Sequence, residues 1–314
     1  MKDFDVLCAG LMVMDVVASG VDRTVFDRDT THSGYILHAT GGDALNVAIN
    51  LANLGARVCM SGAVGDDFAS GGLLGRLKKY GVSADYVQKL EGEATATSIV
   101  LCTPGGDRHF VYQGGANDRY DASVLTGAAL ARAGILFVGS FLGLPALDGK
   151  PLVWLMRRAR ELGLTTAMDA CGGSRTEDKP ALLLDILPHL SVFFPSEEEA
   201  AFLSGGMEPR DAARYFVKRG ARLAGVKLGE KGCFLTDGKW EEAVPALPCA
   251  EPLDTTGAGD AFMAGFLRGM TLNEPPSRCA RMGIAMGSRC IRSLGATTHE
   301  SRLETILPLA DSVP

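Results

Sequence analysis

A chain of 314 residues, 46% hydrophobic and 22% charged, has material for a large core arranged as one or two domains. Its formal charge of -6 removes the electrostatic basis for binding nucleic acid or an anionic membrane, since both depend on an excess of Lys and Arg; a small molecule is the expected partner. The eight cysteines form no C-x-x-C pair and read as buried small hydrophobes in a reducing compartment. No apolar run is long enough to cross a bilayer, and Asp5 and Asp15 interrupt the only signal-like stretch, so the expected location is the cytoplasm.

In chain order, FDVLCAG (4–10) reads as a strand, followed by a helix from about 42 to 54, the strand RVCMSGAV (57–64) and a helix from about 67 to 80. This alternation implies βαβ units and a parallel sheet. Further strands are GILFVGS (134–140), LTTAMDA (164–170), SVFFP (191–195) and LAGVKLG (223–229); several are apolar throughout, as when helices cover both faces of a sheet. The fold class is α/β. Two segments, 13–40 and 93–118, break the rhythm: TSIVLCT and RHFVYQG are β-like, separated by the turn signal PGGD, with no helix between them. They are either a small lid sheet on a main domain of residues 1–12, 41–92 and 119–314, or ordinary edge strands.

In GGDALNVAINLANLGA (41–56), Asp43, Asn46, Asn50 and Asn53 step by three, four and three, which puts them on one helical stripe. Asn50 and Asn53 read as a solvated face. Nearer the start, Gly41 and Gly42 allow close backbone approach while Asp43 and Asn46 offer hydrogen bonds, a combination suited to a polyhydroxylated ligand. In FFPSEEEAA (193–201), Ser196 and Glu199 have the spacing of a helix capping box, and spacing alone favours that structural role over a site for hydrated Mg²⁺.

The stretch DTTGAGDAFMAGFL (254–267) places Asp260 after Gly257, Ala258 and Gly259 at the mouth of a helix whose Phe262, Phe266 and Met270 recur at helical spacing. With Thr255 or Thr256 as N-cap, the amides of residues 257–259 are left free to bind an anion. Asp260 either neutralises the helix dipole or orients and deprotonates a substrate hydroxyl. Phe262 stands where the dinucleotide fingerprint needs a small residue, and the Gly-Lys pairs at 149 and 238 lack P-loop spacing.

The two motifs, GGDALNVAINLANLG and DTTGAGDAFMAGFL, in this order and about two hundred residues apart, resemble the paired signatures of the PfkB carbohydrate kinases, the ribokinase-like sugar and nucleoside kinases. The likeness covers essentially the whole chain. It implies a three-layer α/β/α fold with a mostly parallel central sheet and a small β-sheet lid, and ATP-dependent phosphorylation of an alcohol group of a sugar or sugar derivative. By the resemblance, Asp260 is the catalytic base, Gly257, Ala258 and Gly259 form the anion hole, and Asp15, Gly41, Gly42, Asp43 and Asn46 bind the sugar. Glu199 holds Mg²⁺ through water, with Ser196 standing where the family usually has Asn. VKLGEKG (226–232) resembles the nucleotide-side turn, with Lys227, Gly229 and Gly232 near phosphates or ribose. RSLGATT (292–298) resembles the loop flanking adenine, which with Asp254 and Thr256 can bind K⁺ in some members.

Departures bear on the substrate. Asp169, Cys171 and Gly172 depart from the D-x-N-x-R of several sugar-acid and fructose kinases, and Asp43 stands where ribokinases tend to have Lys. Arg108 and Tyr112 in the lid are candidate substrate contacts. The alternatives are a nucleoside kinase of the same fold and a nucleotide- or sugar-sensing protein without turnover. An exposed lid edge favours a homodimer through strand pairing.

Overall fold

A computed structural model describes residues 2–103, 108–172, 179–299 and 301–314. The turn signal at 104–107 lies outside the described residues. The chain begins with β1 (Phe4–Ala9), crosses into β2 (Val13–Ser19) and β3 (Ile36–Gly41), and returns through α1 (Asp43–Asn53), β4 (Val58–Val64), α2 (Phe68–Lys79) and β5 (Ser83–Lys89). A second excursion makes β6 (Thr97–Cys102) and β7 (Arg108–Gln113). Then follow α3 (Gly127–Ala131), β8 (Ala133–Phe141), α4 (Lys150–Glu161), β9 (Thr165–Ala170), α5 (Lys179–Ile186), β10 (Val192–Phe193), α6 (Glu197–Ser204), α7 (Pro209–Lys218) and β11 (Leu223–Lys227). The hairpin β12 (Cys233–Thr236) and β13 (Glu241–Val244) precedes three helices, α8 (Ala258–Thr271), α9 (Pro276–Cys290) and α10 (Leu303–Asp311).

The larger sheet has the order β13-β12-β11-β10-β9-β8-β1-β4-β5; it is parallel from β5 to β11, and β12 and β13 run antiparallel at one edge. β1 shows why it needs two flanking layers. Its Val6 and Cys8 join one buried cluster and its Leu7 and Ala9 another, so alternate side chains enter apolar cores on opposite faces. Leu45, Leu73, Phe266 and Ile284, from α1, α2, α8 and α9, fill one side; Leu130, Leu155, Leu183, Leu203 and Phe216, from α3 to α7, fill the other. The predicted three-layer arrangement is the one observed.

The two irregular segments pair with each other rather than with the larger sheet. They give a separate four-stranded sheet of order β3-β2-β6-β7, in which only the β2–β6 pair is parallel. None of the eight cysteines is in a disulfide; Cys8, Cys59, Cys233, Cys279 and Cys290 are buried and the other three partly so.

The chain leaves β1 towards β4 on one side and later comes back to β8 on the other, so β1 lies at a switch point of the sheet, where ligands bind beyond the carboxyl ends of strands. α8 is fixed over this region by aromatic packing. Phe194, just past β10, meets Phe262 and Phe266 of α8 with ring centroids 4.9 and 5.2 Å apart. Phe194→Ala is expected to lower unfolding free energy by about 3–5 kcal/mol, read from denaturant unfolding, because it opens a cavity under the helix that carries Asp260.

Candidate active site

Asp15 lies in β2, opposite Ala39 of β3. Its carboxylate occupies the space that a Cβ on Gly41 would need, so only glycine lets the two strands close with the acid between them. Gly42 then starts α1 as its N-cap, without side-chain help, and Asp43 and Asn46 follow in the first turns. Because α1 packs on α8, the Asn46 amide donates from Nδ2 to Asp260 Oδ2 at 2.9 Å. Two polar atoms beside that contact, Asp43 Oδ2 and Asn46 Oδ1, are buried without a partner among the described residues.

The start of α8 differs from expectation. Neither Thr255 nor Thr256 caps it; the N-cap is Gly257 in the left-handed region at φ 74°, with no side-chain capping bond. Thr256 is instead folded back on Asp254, donating its amide and hydroxyl to Oδ1 at 2.8 and 2.6 Å. Gly257 cannot be replaced for a second reason, since a Cβ there would collide with Ala296. The Ala258 amide reaches the Thr255 carbonyl at 3.3 Å, while those of Gly257, Gly259 and Asp260 have no acceptor among the described residues. The first helical bond proper is Ala261 to Gly257 at 2.8 Å.

Other groups arrive from the carboxyl edge of the larger sheet. Lys227, the last residue of β11, reaches over β10 to form a buried ion pair with Asp169 near the end of β9. A Cβ on Gly259 would stand 3.4 Å from the Lys227 ammonium, which places that cation against the start of α8. Glu199 is buried in the first turn of α6 and forms the predicted capping box: Ser196 N donates to Oε2 at 2.8 Å, and Glu199 N donates to Ser196 Oγ at 3.4 Å. Ser140, at φ 74° near the end of β8, gives Asp43 a hydrogen bond. The non-glycine left-handed backbone at Ser140 and Leu142 is a strained turn of the kind found where side chains are aimed at a site.

Electrostatics tie these groups together. Burial raises the Asp260 carboxyl well above the usual range, and the neighbouring Asp43 adds to the rise. Burial and then Glu199 push Asp43 up to about 6; burial and then Asp43 push Asp15 up to about 7. Asp169 is pulled both ways, up to about 7 by burial against the opposing pull of Lys227. Burial disfavours charge on Lys227, but Asp169, Glu199 and Asp260 outweigh it and hold its pKa above the ordinary lysine value. No group of three or more acids, histidines or cysteines among the described residues is close enough to hold a metal directly.

Next to this cluster, a cavity of about 430 Å³ opens between the smaller sheet and the loops 252–256 and 294–298, with Asp15, Thr40, Arg108, Phe110 and Asp254 in its wall. Arg108 at the start of β7 bridges the gap, with NH1 2.7 Å from Asp254 Oδ1 and NH2 2.9 Å from Thr255 Oγ1. Thr40 and Thr297 hydroxyls meet at 2.9 Å, and Asn50 donates to the Ala296 carbonyl at 3.2 Å. Asn50 is thus fully buried rather than on a solvated face, because its stripe of α1 is covered by a loop from the far end of the chain.

A family model described as pfkB family carbohydrate kinase matches residues 3–302. The chain belongs to this family. It is a kinase, a phosphotransferase with an alcohol acceptor. A 1-phosphofructokinase of Rhodobacter capsulatus is 30% identical over 87% of the chain and 85% of its own length. A cytidine kinase of Thermococcus kodakarensis is 27% identical over 90% of the chain and 98% of its own. Among solved structures, an Arabidopsis thaliana ribokinase complexed with ribose and ATP superposes with a TM-score of 0.84 at 23% identity, covering 99% of both chains.

Within this pfkB chain the expected site residues divide. Asp15, Gly41, Gly42, Asp43, Asn46, Asp260, Glu199 and Lys227 converge, with Ser196 and the 257–259 turn adjoining them. Gly232 is accounted for by its own turn: its amide bonds to Gly229 and a Cβ would strike the Val244 carbonyl. Sequence reading missed Ser140 and the Asp169–Lys227 pair, although Lys227 and Asp169 each close an apolar strand. No helix among the described residues is long and apolar enough to cross a membrane.

Crowded carboxylates oppose folding when ionised. Asp15 favours the folded state fully below its unfolded value near 3.8, and that contribution is lost as pH rises to about 7. Asp15→Asn is therefore expected to be more stable than the parent at pH 8, by up to about 4 kcal/mol, with the advantage gone at pH 4. Urea unfolding at the two pH values measures the difference.

Proposed function

We propose that the chain transfers the γ-phosphoryl group of ATP to a hydroxyl, preferably primary, of a sugar or sugar derivative, with Asp260 as the catalytic base. The observation that carries this reading is the pair of orphaned buried acceptors, Asp43 Oδ2 and Asn46 Oδ1, beside the carboxylate of Asp260 in the first turn of a helix whose starting amides are unpaired. Unpartnered buried acceptors need donors, and the hydroxyls of a polyol supply them. Asp15, Gly41 and Gly42 complete the substrate side in this assignment.

The attacking oxygen forms its bond to the γ-phosphorus as the bond to the bridging oxygen of ADP breaks, and the hydroxyl proton passes to Asp260. The amides of residues 257–259 bind charge on the transferring group, with the Gly257 and Gly259 amides free to do so and Ala258 held only by a long bond. Lys227, beside Gly259, offsets phosphate charge; Ser196, Gly229 and Thr256 are assigned to the nucleotide side. Mg²⁺ fits a cluster whose carboxylates outnumber its ammonium, and it would neutralise phosphate charge; Glu199 would hold it through water. The segments 13–40 and 93–118 act as a lid that excludes water. The exposed Ile36, Ile99 and Val111, on the face of that sheet away from the cavity, favour a homodimer formed through it.

A nucleoside acceptor is the second reading, favoured by the match to the cytidine kinase across most of the chain. A panel of sugars, sugar phosphates and nucleosides with Mg-ATP, read as ADP production, separates the two. On the true substrate, Asp260→Asn is expected to lose about 10²–10⁴ in kcat, and near-normal turnover would refute the assignment. Because a base must be ionised and the Asp260 pKa is raised, kcat/KM should fall with acidification at a pH well above the ordinary aspartate value of about 4.

A further inference from the structure

The loop that leads into α8 carries Asp254, and its carboxylate is fully committed. Oδ1 accepts from Thr256 N at 2.8 Å, Thr256 Oγ1 at 2.6 Å and Arg108 NH1 at 2.7 Å, while Oδ2 accepts from Gly295 N at 2.8 Å. Four donors match the roughly four lone-pair sites of a carboxylate. The resemblance assigns K⁺ to Asp254, Thr256 and the 292–298 loop, but these residues do not fit it. A potassium ion needs oxygen lone pairs turned towards it, and here the Thr256 hydroxyl and amide and the Gly295 amide all point their protons at Asp254. The place beside Asp254 is already taken by the Arg108 guanidinium.

Arg108 is not a loose surface side chain. Its second nitrogen donates to Thr255 Oγ1 at 2.9 Å, and against burial the hydrogen bonds from Thr256 and Gly295, followed by the Arg108 charge, hold Asp254 below the usual carboxylate range. One planar fork thus grips two consecutive residues that immediately precede the free amides of the α8 turn. The fork comes from β7, in the smaller sheet, so the charge at this loop and the position of that sheet are set by the same contact.

We propose that the Arg108 guanidinium stands in for a monovalent cation at the Asp254 loop, so that this kinase works at full rate without potassium. Arg108 is then a positioning residue: it orders the 254–257 backbone and thereby aims the amides, without touching the reacting atoms. The proposal rests on assigning those amides to phosphoryl binding.

The test uses the full chain in KCl, NaCl, CsCl or tetramethylammonium chloride at matched ionic strength, with two readouts: turnover of the best alcohol substrate with Mg-ATP, and the thermal midpoint of the protein alone. For the parent, kcat/KM and the midpoint should agree across all four salts, to within about twofold for the rate. Arg108→Met should lose about tenfold or more in kcat/KM in tetramethylammonium and recover in KCl, the smaller or larger cations rescuing less well. Specific activation or thermal stabilisation of the parent by K⁺ overturns the proposal. So does an Arg108→Met variant that stays fully active in tetramethylammonium, or one that only raises KM for the alcohol and is not rescued by K⁺, which would make Arg108 a substrate ligand. If the parent turns over no alcohol in any salt, the phosphoryl-transfer assignment fails instead, while a K⁺-independent midpoint for the parent beside a K⁺-raised midpoint for Arg108→Met still supports the substitution of one cation for the other.

Discussion

The constraint on which this structure depends is the confinement of Asp43, Asp169, Glu199 and Asp260 around the Lys227 ammonium, with Asp15 next to Asp43. Like charges brought out of water raise one another's pKa, and each of Asp15, Asp43, Asp169 and Asp260 shows that rise. A fold optimised only for stability would not gather them. The cluster persists because the surrounding framework over-determines it: Lys227 and Asp169 are fixed to neighbouring parallel strands, Glu199 is locked in a capping box, and Asn46 and Asp260 sit on two helices packed side by side.

That framework draws its strength from apolar burial on both faces of the larger sheet. β1 carries side chains into both cores and ends where the chain departs for the smaller sheet, so a strand anchored on both faces also opens the site. The aromatic group of Phe194, Phe262 and Phe266 does similar work for α8. Its rings hold the helix start at a fixed height above the strand ends, which is what unpaired amides need if they are to meet a phosphoryl group without reorganising.

On its cavity side the smaller sheet is linked to this rigid part by directional contacts, Arg108 to Asp254 and Thr255 and Thr40 to Thr297, while at its base Val13 and Met14 of β2 pack into the cores. Polar links of this sort can be made and broken at modest cost, unlike the packed cores. Mobility of the smaller sheet against the larger body is therefore compatible with a stable fold, and the bridging residues all lie around the cavity where a substrate would be enclosed.

Much of this was legible in the sequence. Helix α1 occupies 43–53 against an expected 42–54, and α2 lies within the expected 67–80, because apolar periodicity and capping are local signals. The glycine-rich entry to α8 marked a helix start with unpaired amides, and the apolar strands marked a sheet covered on both faces. What periodicity misjudged was non-local. Asn50 looked solvated because nothing in residues 41–56 reveals that the 296 loop lies on that stripe, and Thr255 and Thr256 looked like caps because the fold-back onto Asp254 depends on the loop's path rather than on residue type. The amino-acid sequence by itself determined the α/β class, the two glycine-bounded helix starts and the lone acid at the second of them, since each follows from backbone freedom and side-chain period within a few residues. Only the tertiary structure decided that Lys227 reaches Asp169 over an intervening strand, that Asn46 meets Asp260, and that Arg108 holds Asp254, because those pairs are set by strand order and helix packing across 58, 214 and 146 residues of chain.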